Sequence, residues 1–341
     1  MAVTGRQIIS KRRNEQLKRE AALAAAMALL YLPAEAAILA AIHRKRHVWG
    51  SLHYAKDWTG QQRADVATLS AFIVASLSHV AMEASGLVYR AKKESAAHGA
   101  YHAELNAQAL GVAGVITALT GHDLRHIAIR TATSRALVSR YLDLARDTAN
   151  RVGVVLQQRE FTNLSTDAIE REMQDAITQT TRDEAIRIAR AESWQSYGDA
   201  MVETYQANAN VLKRWAWRAV LDERTCIACL VMDGQAFPID TPFTPLHVGC
   251  RCMAEPILAD NCPEWGETGK DWFRRQSVQD QQGTLGQAAC KLYRDGIIKL
   301  EDLVDTAVTK DGTFHPVKSL KTLVREGKLT AEQYHAALKR T

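Results

Sequence analysis

The residues from Arg224 to Cys252, RTCIACLVMDGQAFPIDTPFTPLHVGCRC, hold four of the chain's six cysteines and one of its eleven histidines. Their spacing is C-x2-C, then seventeen residues, then H-x2-C-x-C. A two-residue gap lets the sulfurs of Cys226 and Cys229 face one point across a tight turn. His247 and Cys250 repeat that geometry on the far side. Four such ligands satisfy a tetrahedral zinc ion. The donors are Cys226, Cys229, His247, Cys250 and Cys252, one more than zinc takes. Cys226, Cys229, His247 and Cys250 form the preferred set, and Cys252 can substitute or stay unbound. The competing reading is a local disulfide or inert buried thiols. Six cysteines in 341 residues are too sparse for a disulfide scaffold, and their clustering points to metal in a reducing compartment.

Four protein ligands leave no open coordination position, so such a zinc is structural. It would staple a small β-element that has few apolar residues of its own. Catalytic patterns are missing from the sequence. There is no H-E-x-x-H helix, no H-x-E with P-C-x-x-C, no Gly-rich phosphate loop and no G-x-S-x-G. Arg190, Glu192 and Asp222 sit near the cluster and read as ion-pairing or capping groups. Cys262 and Cys290 have no partner pattern and read as small core hydrophobes. No enzyme is expected.

The first 160 residues read as helices. Pro33 should kink or divide the first of them. Gly86 should weaken the second, and Gly111 and Gly114 suit close helix contact. Leu137, Tyr141 and Leu144 form one core stripe, with Arg130, Arg135, Arg140 and Arg146 solvated or paired around it. Asp167 with Glu170 resembles a helix start, and Thr181 with Glu184 a capping box. Trp194, Tyr197, Met201 and Tyr205 follow at helical spacing, a core pattern. VLKRWAWRAV, from Val211, alternates and is the clearest strand. It puts Trp215 and Trp217 on one face and Arg214 and Arg218 on the other. Asp233-Gly234 predicts a tight turn joining CLVM and QAF in a hairpin, with CRCMAEPIL as a third strand. Short helices are expected around Leu285–Tyr293, Leu300–Val308 and Leu320–Arg325, and from Thr330 onward. The predicted fold is mainly α with a small β element. It has a helical basic region over 1–160, a Cys/His-stapled core over 161–258 and a helical segment over 259–341.

Charge is unevenly placed. Residues 1–56 carry ten Lys or Arg against three Glu, a net +7 within a chain of net +5. A basic arm suits an acidic partner such as DNA, and a solvated helix face is the plain alternative. No secretory signal is visible. Ala21 to Ile42 has the length of a membrane span, but it is alanine-rich and carries Glu35 and Pro33. An ionised Glu at mid-depth costs roughly 3 kcal/mol, so a helix packed on protein, with no membrane partner, is expected.

The segments ARAES (189–193), WAWRAVLDERTCIACLVMDGQAF (215–237) and PLHVGCRC (245–252) resemble the Mu F-like phage head morphogenesis proteins, or minor head proteins. That family's pattern joins A-R-x-E, a Trp strand, D-x-R-T-C-x-x-C, a D-G turn and P-x-H-x-x-C-R-C, and each element stands here in order. Residues 271–304 are also similar to its trailing segment. The resemblance implies a virion protein that meets portal and capsid proteins during head assembly in the host cytoplasm, with a role in head assembly, DNA packaging or DNA delivery. It implies no enzyme. The alternative is a zinc-stapled nucleic-acid-binding or nucleic-acid-processing protein. An ADP-ribosyl transferase would need a nicotinamide pocket, which no pattern supports.

Overall fold

The computed structural model describes residues 5–51, 58–109, 116–130, 136–158, 165–247, 249–258, 267–305 and 317–339. Gly111, Gly114, Arg135 and Cys262 lie outside the described residues. The chain is mainly helical with one three-stranded antiparallel sheet, as the sequence predicts. It forms two compact units.

One unit comprises Leu17–Lys92 and Arg135–Ser193. It contains most of α1 (Gly5–Arg44), α2 (Arg46–Ser51), much of α3 (Gly60–Ala109), α5 (Leu137–Gln158), α6 (Thr166–Ile177) and the start of α7 (Glu184–Ala207); α4 (Gly121–Ile129) belongs to the other unit. Apolar side chains at three- and four-residue spacing meet in one core: Met27, Tyr31 and Ile38 of α1, Ile73, Leu77 and Val88 of α3, and Tyr141, Leu144 and Val152 of α5. Leu137 packs against its margin, completing the predicted stripe.

One expectation fails here, and of the two outcomes expected at Pro33 division of the helix is excluded. Pro33 does not divide its helix, and α1 runs from Gly5 to Arg44 through it. The proline removes one N–H, but buried Tyr31, Ala34 and Ile38 hold the helix on both sides of it. Thr181 opens no capping box. α6 starts instead from Ser165, whose hydroxyl accepts the Ala168 amide, and passes into a π-helical turn, Thr178–Asp183, that leads directly into α7. Thr181 is buried in that turn, its hydroxyl 2.7 Å from that of Thr148 on α5. Gly86 leaves α3 continuous.

The long helices α1 and α3 are long and apolar enough to cross a membrane by length and composition. Buried Glu35 and Lys92 on these helices find protein partners. Glu35 pairs with Arg182 at 3.3 Å, and burial pushes its carboxyl above the usual range. Lys92 donates to Glu192 at 2.6 Å, and Arg140 bonds the other oxygen of that carboxylate. Arg190 pairs with Glu20 at 3.1 Å.

The second unit comprises Met1–Gln16, Lys93–Ser134 and Trp194–Thr341. Its sheet has the order β2-β1-β3, with β1 (Leu212–Arg218) central between β2 (Ala236–Pro238) and β3 (Met253–Leu258). In register, Trp215 lies opposite Phe237 and Pro256, and Arg214 opposite Pro238. Trp215 and Trp217 are both buried, with Trp217 stacked on Phe243 and Trp215 on Phe237. Arg218 is buried as well and bonds Glu255 across the β1–β3 pair.

The predicted CLVM–QAF hairpin is absent. CLVM lies within a short helix, α8 (Ile227–Met232), and QAF pairs with β1. Asp233-Gly234 still turns the chain, with Gly234 at φ +87° and its amide donating to Trp217 O at 2.9 Å. The later helices are α9 (Gly269–Arg274), α10 (Val278–Leu285), α11 (Gln287–Arg294), α12 (Leu320–Arg325) and α13 (Ala331–Leu338), with a 3-10 turn at Leu300–Leu303. Thr330 and Gln333 form the expected capping box. Cys290 is buried on α11, as predicted.

Candidate metal centre

The approach to the cluster is fixed by a turn after β1. Asp222 accepts from the Arg224 amide at 3.0 Å and from the Thr225 hydroxyl at 3.1 Å, and that hydroxyl accepts the Asp222 amide. Arg251 clamps the same carboxylate with two bonds of 2.6 and 2.7 Å, tying the segment after Cys250 to the segment before Cys226. The clamp holds Asp222 below the usual carboxylate range against the opposing effect of burial. It fixes the two halves of the motif side by side.

Cys226 then caps α8, its sulfur accepting the Cys229 amide at 3.4 Å. One helical turn carries Cys229 to the same side. On the other half, the Cys250 amide donates to His247 O at 3.0 Å, and Gly249 supplies the φ of +81° that this tight return needs. The ligand atoms of Cys226, Cys229 and His247 lie within 4.8 Å of one another, as do those of Cys229, Cys250 and Cys252. Cys229 is common to both groups.

The spacings suit a tetrahedral ion. Zn–S near 2.3 Å and Zn–N near 2.0 Å place two sulfurs about 3.8 Å apart and sulfur and nitrogen about 3.5 Å apart. Cys229 Sγ lies 3.9 Å from Cys250 Sγ and 3.5 Å from His247 Nε2. The protons are shared unequally. Hydrogen bonding from Cys229, aided by His247, pulls Cys226 down to about 5. Hydrogen bonding from Cys229 also holds Cys250 well below its ordinary value, while the same bonds push Cys229 up. Burial raises Cys252. Two thiols thus favour the anionic form that metal ligation requires. Arg13 of α1 is buried within the electrostatic reach of Cys252, Asp222 and Arg251.

The helix α7 seats the sheet beside this cluster. Trp194 donates its indole N–H to Cys252 O at 3.1 Å, and the Tyr205 hydroxyl donates to Ala254 O at 3.2 Å. Gly198 faces the Phe243 ring so closely that an added Cβ would fall 2.4 Å from it. The aromatic stripe is core, as predicted, and also sets the height of β3, the strand that follows the last thiols. A polar layer continues from it. His102 of α3 lies between the Tyr197 hydroxyl, 2.7 Å away, and Glu15 of α1, 3.2 Å away. Asn106 donates to the Tyr205 hydroxyl at 3.2 Å and accepts from Arg12. Sequence reasoning missed this layer, because its members lie about ninety positions or more apart. Asp222, Glu192 and Arg190 each take the ion-pairing role expected of them.

Residues 164–255 match the family described as Phage Mu protein F like protein. The matched stretch runs from α6 to the start of β3 and contains all five candidate donors. No curated protein and no solved structure matches the chain.

Proposed function

We propose that the chain is a minor head protein acting in phage head morphogenesis at the portal vertex, with no catalytic turnover. The observation that carries this reading is the family match over residues 164–255, which runs from α6 through all five donors to the start of β3. The two donor groups that share Cys229, one with Cys226 and His247 and one with Cys250 and Cys252, support a structural zinc between them, held by Cys226, Cys229, His247 and Cys250 with Cys252 as the buried fifth donor. The ion supplies cross-linking of the two chain segments on either side of β2. Asp222, Arg251 and Trp194 hold those segments in place around it.

Contact with packaged DNA through the basic N-terminal region is part of the proposal, in a reduced form. Arg12 and Arg13 point into protein, and Lys45 and Arg46 pair with Asp65 and Asp167. The exposed Lys18 and Arg44 remain nearer to the ideal of a phosphate-binding cation. Each phosphate neutralised contributes about 0.9 to the slope of log K against log salt. A slope well under the region's formal charge is therefore expected.

Affinity-tagged chain should co-purify with portal and capsid subunits from cells making heads. Absence from purified heads and from assembly intermediates would overturn the reading. The metal is tested separately by elemental analysis of reduced, folded protein. One zinc per chain is expected, kept by Cys252→Ser and lost with folding of the sheet region in Cys229→Ser. A metal-free wild type that keeps its sheet would refute the staple.

A further inference from the structure

The sequence H-D-L-R-H, His122 to His126, places two imidazoles at i and i+4 on α4. That spacing puts both side chains on one helical face. Both residues are exposed, and α4 turns Ile127 inward against Ala96, Ala100 and Ala200 instead. The helix itself is well anchored. Thr120 and Asp123 form a complete capping box, and Arg130 at the far end bonds Glu203. The histidine pair therefore stands on a fixed platform.

The two Nε2 atoms are 3.1 Å apart, with ring centroids 4.3 Å apart. A metal–nitrogen distance of about 2.0–2.1 Å places two nitrogens of one coordination sphere about 2.9 Å apart at a right angle and about 3.3 Å apart in a tetrahedron. The observed separation falls between these values. The second ring nitrogen of His122, Nδ1, lies 3.9 Å from the Asp123 carboxylate. Asp123 is held below the usual carboxylate range, first by the Thr120 hydroxyl and also by His122. At that distance the carboxylate makes no hydrogen bond to the ring, but it adds negative charge beside the imidazole pair, which favours a cation there.

We propose that His122 and His126 form a second metal site, for a borderline divalent ion of the Zn2+, Ni2+ or Cu2+ type, separate from the cysteine cluster and independent of the head-assembly reading. Imidazole nitrogen suits these ions, with copper the strongest in general order. Two protein donors leave the other positions to water or to a donor from another molecule. The site binds without hydrolysing. In H-E-x-x-H sites the residue after the first histidine acts as general base, but Asp123 is occupied as a cap, its carboxylate accepting from the Thr120 amide at 2.8 Å and hydroxyl at 2.6 Å.

The test is titration of the zinc-loaded full chain with Ni2+ by calorimetry at pH 7.5, with zinc content measured before and after. Wild type should take up one nickel equivalent while retaining its zinc. His122→Ala and His126→Ala should each weaken that uptake by at least the roughly tenfold to hundredfold that loss of an outer-shell partner costs, with thermal stability and zinc content unchanged. His43 and His47 have the same spacing, but the break between α1 and α2 separates them. His43→Ala/His47→Ala should therefore bind as wild type does. No nickel uptake by folded wild type, uptake unchanged in both α4 variants, or uptake abolished in the His43/His47 variant would overturn the proposal.

Discussion

Glu192 offers the sharpest test of how the larger helical core is held. Its side chain is fully buried at 0 % exposure, and Lys92, its partner at 2.6 Å, is 2 % exposed. Arg140, on the carboxylate's other oxygen, is 16 % exposed. Glu192→Gln keeps the shape and removes the charge, so Lys92 is left as a buried cation without its counter-ion. Breaking a buried pair in this way costs about 3–5 kcal/mol. At about 2–4 °C per kcal/mol for a domain of this size, the midpoint should fall by roughly 6–20 °C. Lys92→Met together with Glu192→Gln removes the stranded charge as well, while Arg140 can reach solvent. The double variant should return to within about 1–2 kcal/mol of wild type, because desolvation offsets most of what a buried pair contributes. Calorimetry and urea denaturation of the full chain read both numbers. A single variant within about 1 kcal/mol of wild type, or a double variant worse than the single, would refute the argument.

Two further outcomes follow from other buried groups. Burial holds His102 at about 4, below the roughly 6.5 of a free imidazole, so the folded state resists a proton that the unfolded state accepts. Its contribution is complete above about pH 6.5 and is lost as pH falls toward about 4, up to about 3 kcal/mol. Denaturation midpoints measured across that window should flatten in His102→Gln, and an unchanged pH profile would exclude this histidine as the source. Pro33 sits exposed inside α1, so Pro33→Ala should stabilise by up to about 3 kcal/mol by restoring one backbone bond. A thermal midpoint that fails to rise would show that the surrounding helix has already adapted to the ring.

Much of the site was legible in the sequence because its signals are local. The alternation around Trp215 and Trp217 marks β1, and the paired C-x2-C and H-x2-C gaps mark the donors that the structure brings together. What failed was decided by a local cap in one case and by distant groups in the others. CLVM is a short apolar run that serves a helix or a strand equally, and Cys226 settles it by capping α8. Thr181 carries a helix-start pattern, but its hydroxyl is claimed by Thr148 across the core. Pro33 interrupts a helix locally, yet side chains on both sides are locked into one packed cluster. The layer of His102, Asn106, Tyr197 and Tyr205 has no signal in any short window, since its spacing exists only once α1, α3 and α7 meet. The helical spacing of H-D-L-R-H was readable, but its one-residue departure from a hydrolase pattern hid it.

The two prolines of the sheet carry a consequence for crowding. Pro238 and Pro256 stand in β2 and β3, the strands on either side of β1, and each removes one amide donor from an edge. β2 is only three residues long, and two carbonyls at the start of β3 and just before it are already taken by Trp194 and Tyr205. An incoming strand therefore meets an interrupted row of donors and acceptors on both margins. Copies of this protein held close together should not zip into a continuous ribbon, and their contacts must run through helices and side chains.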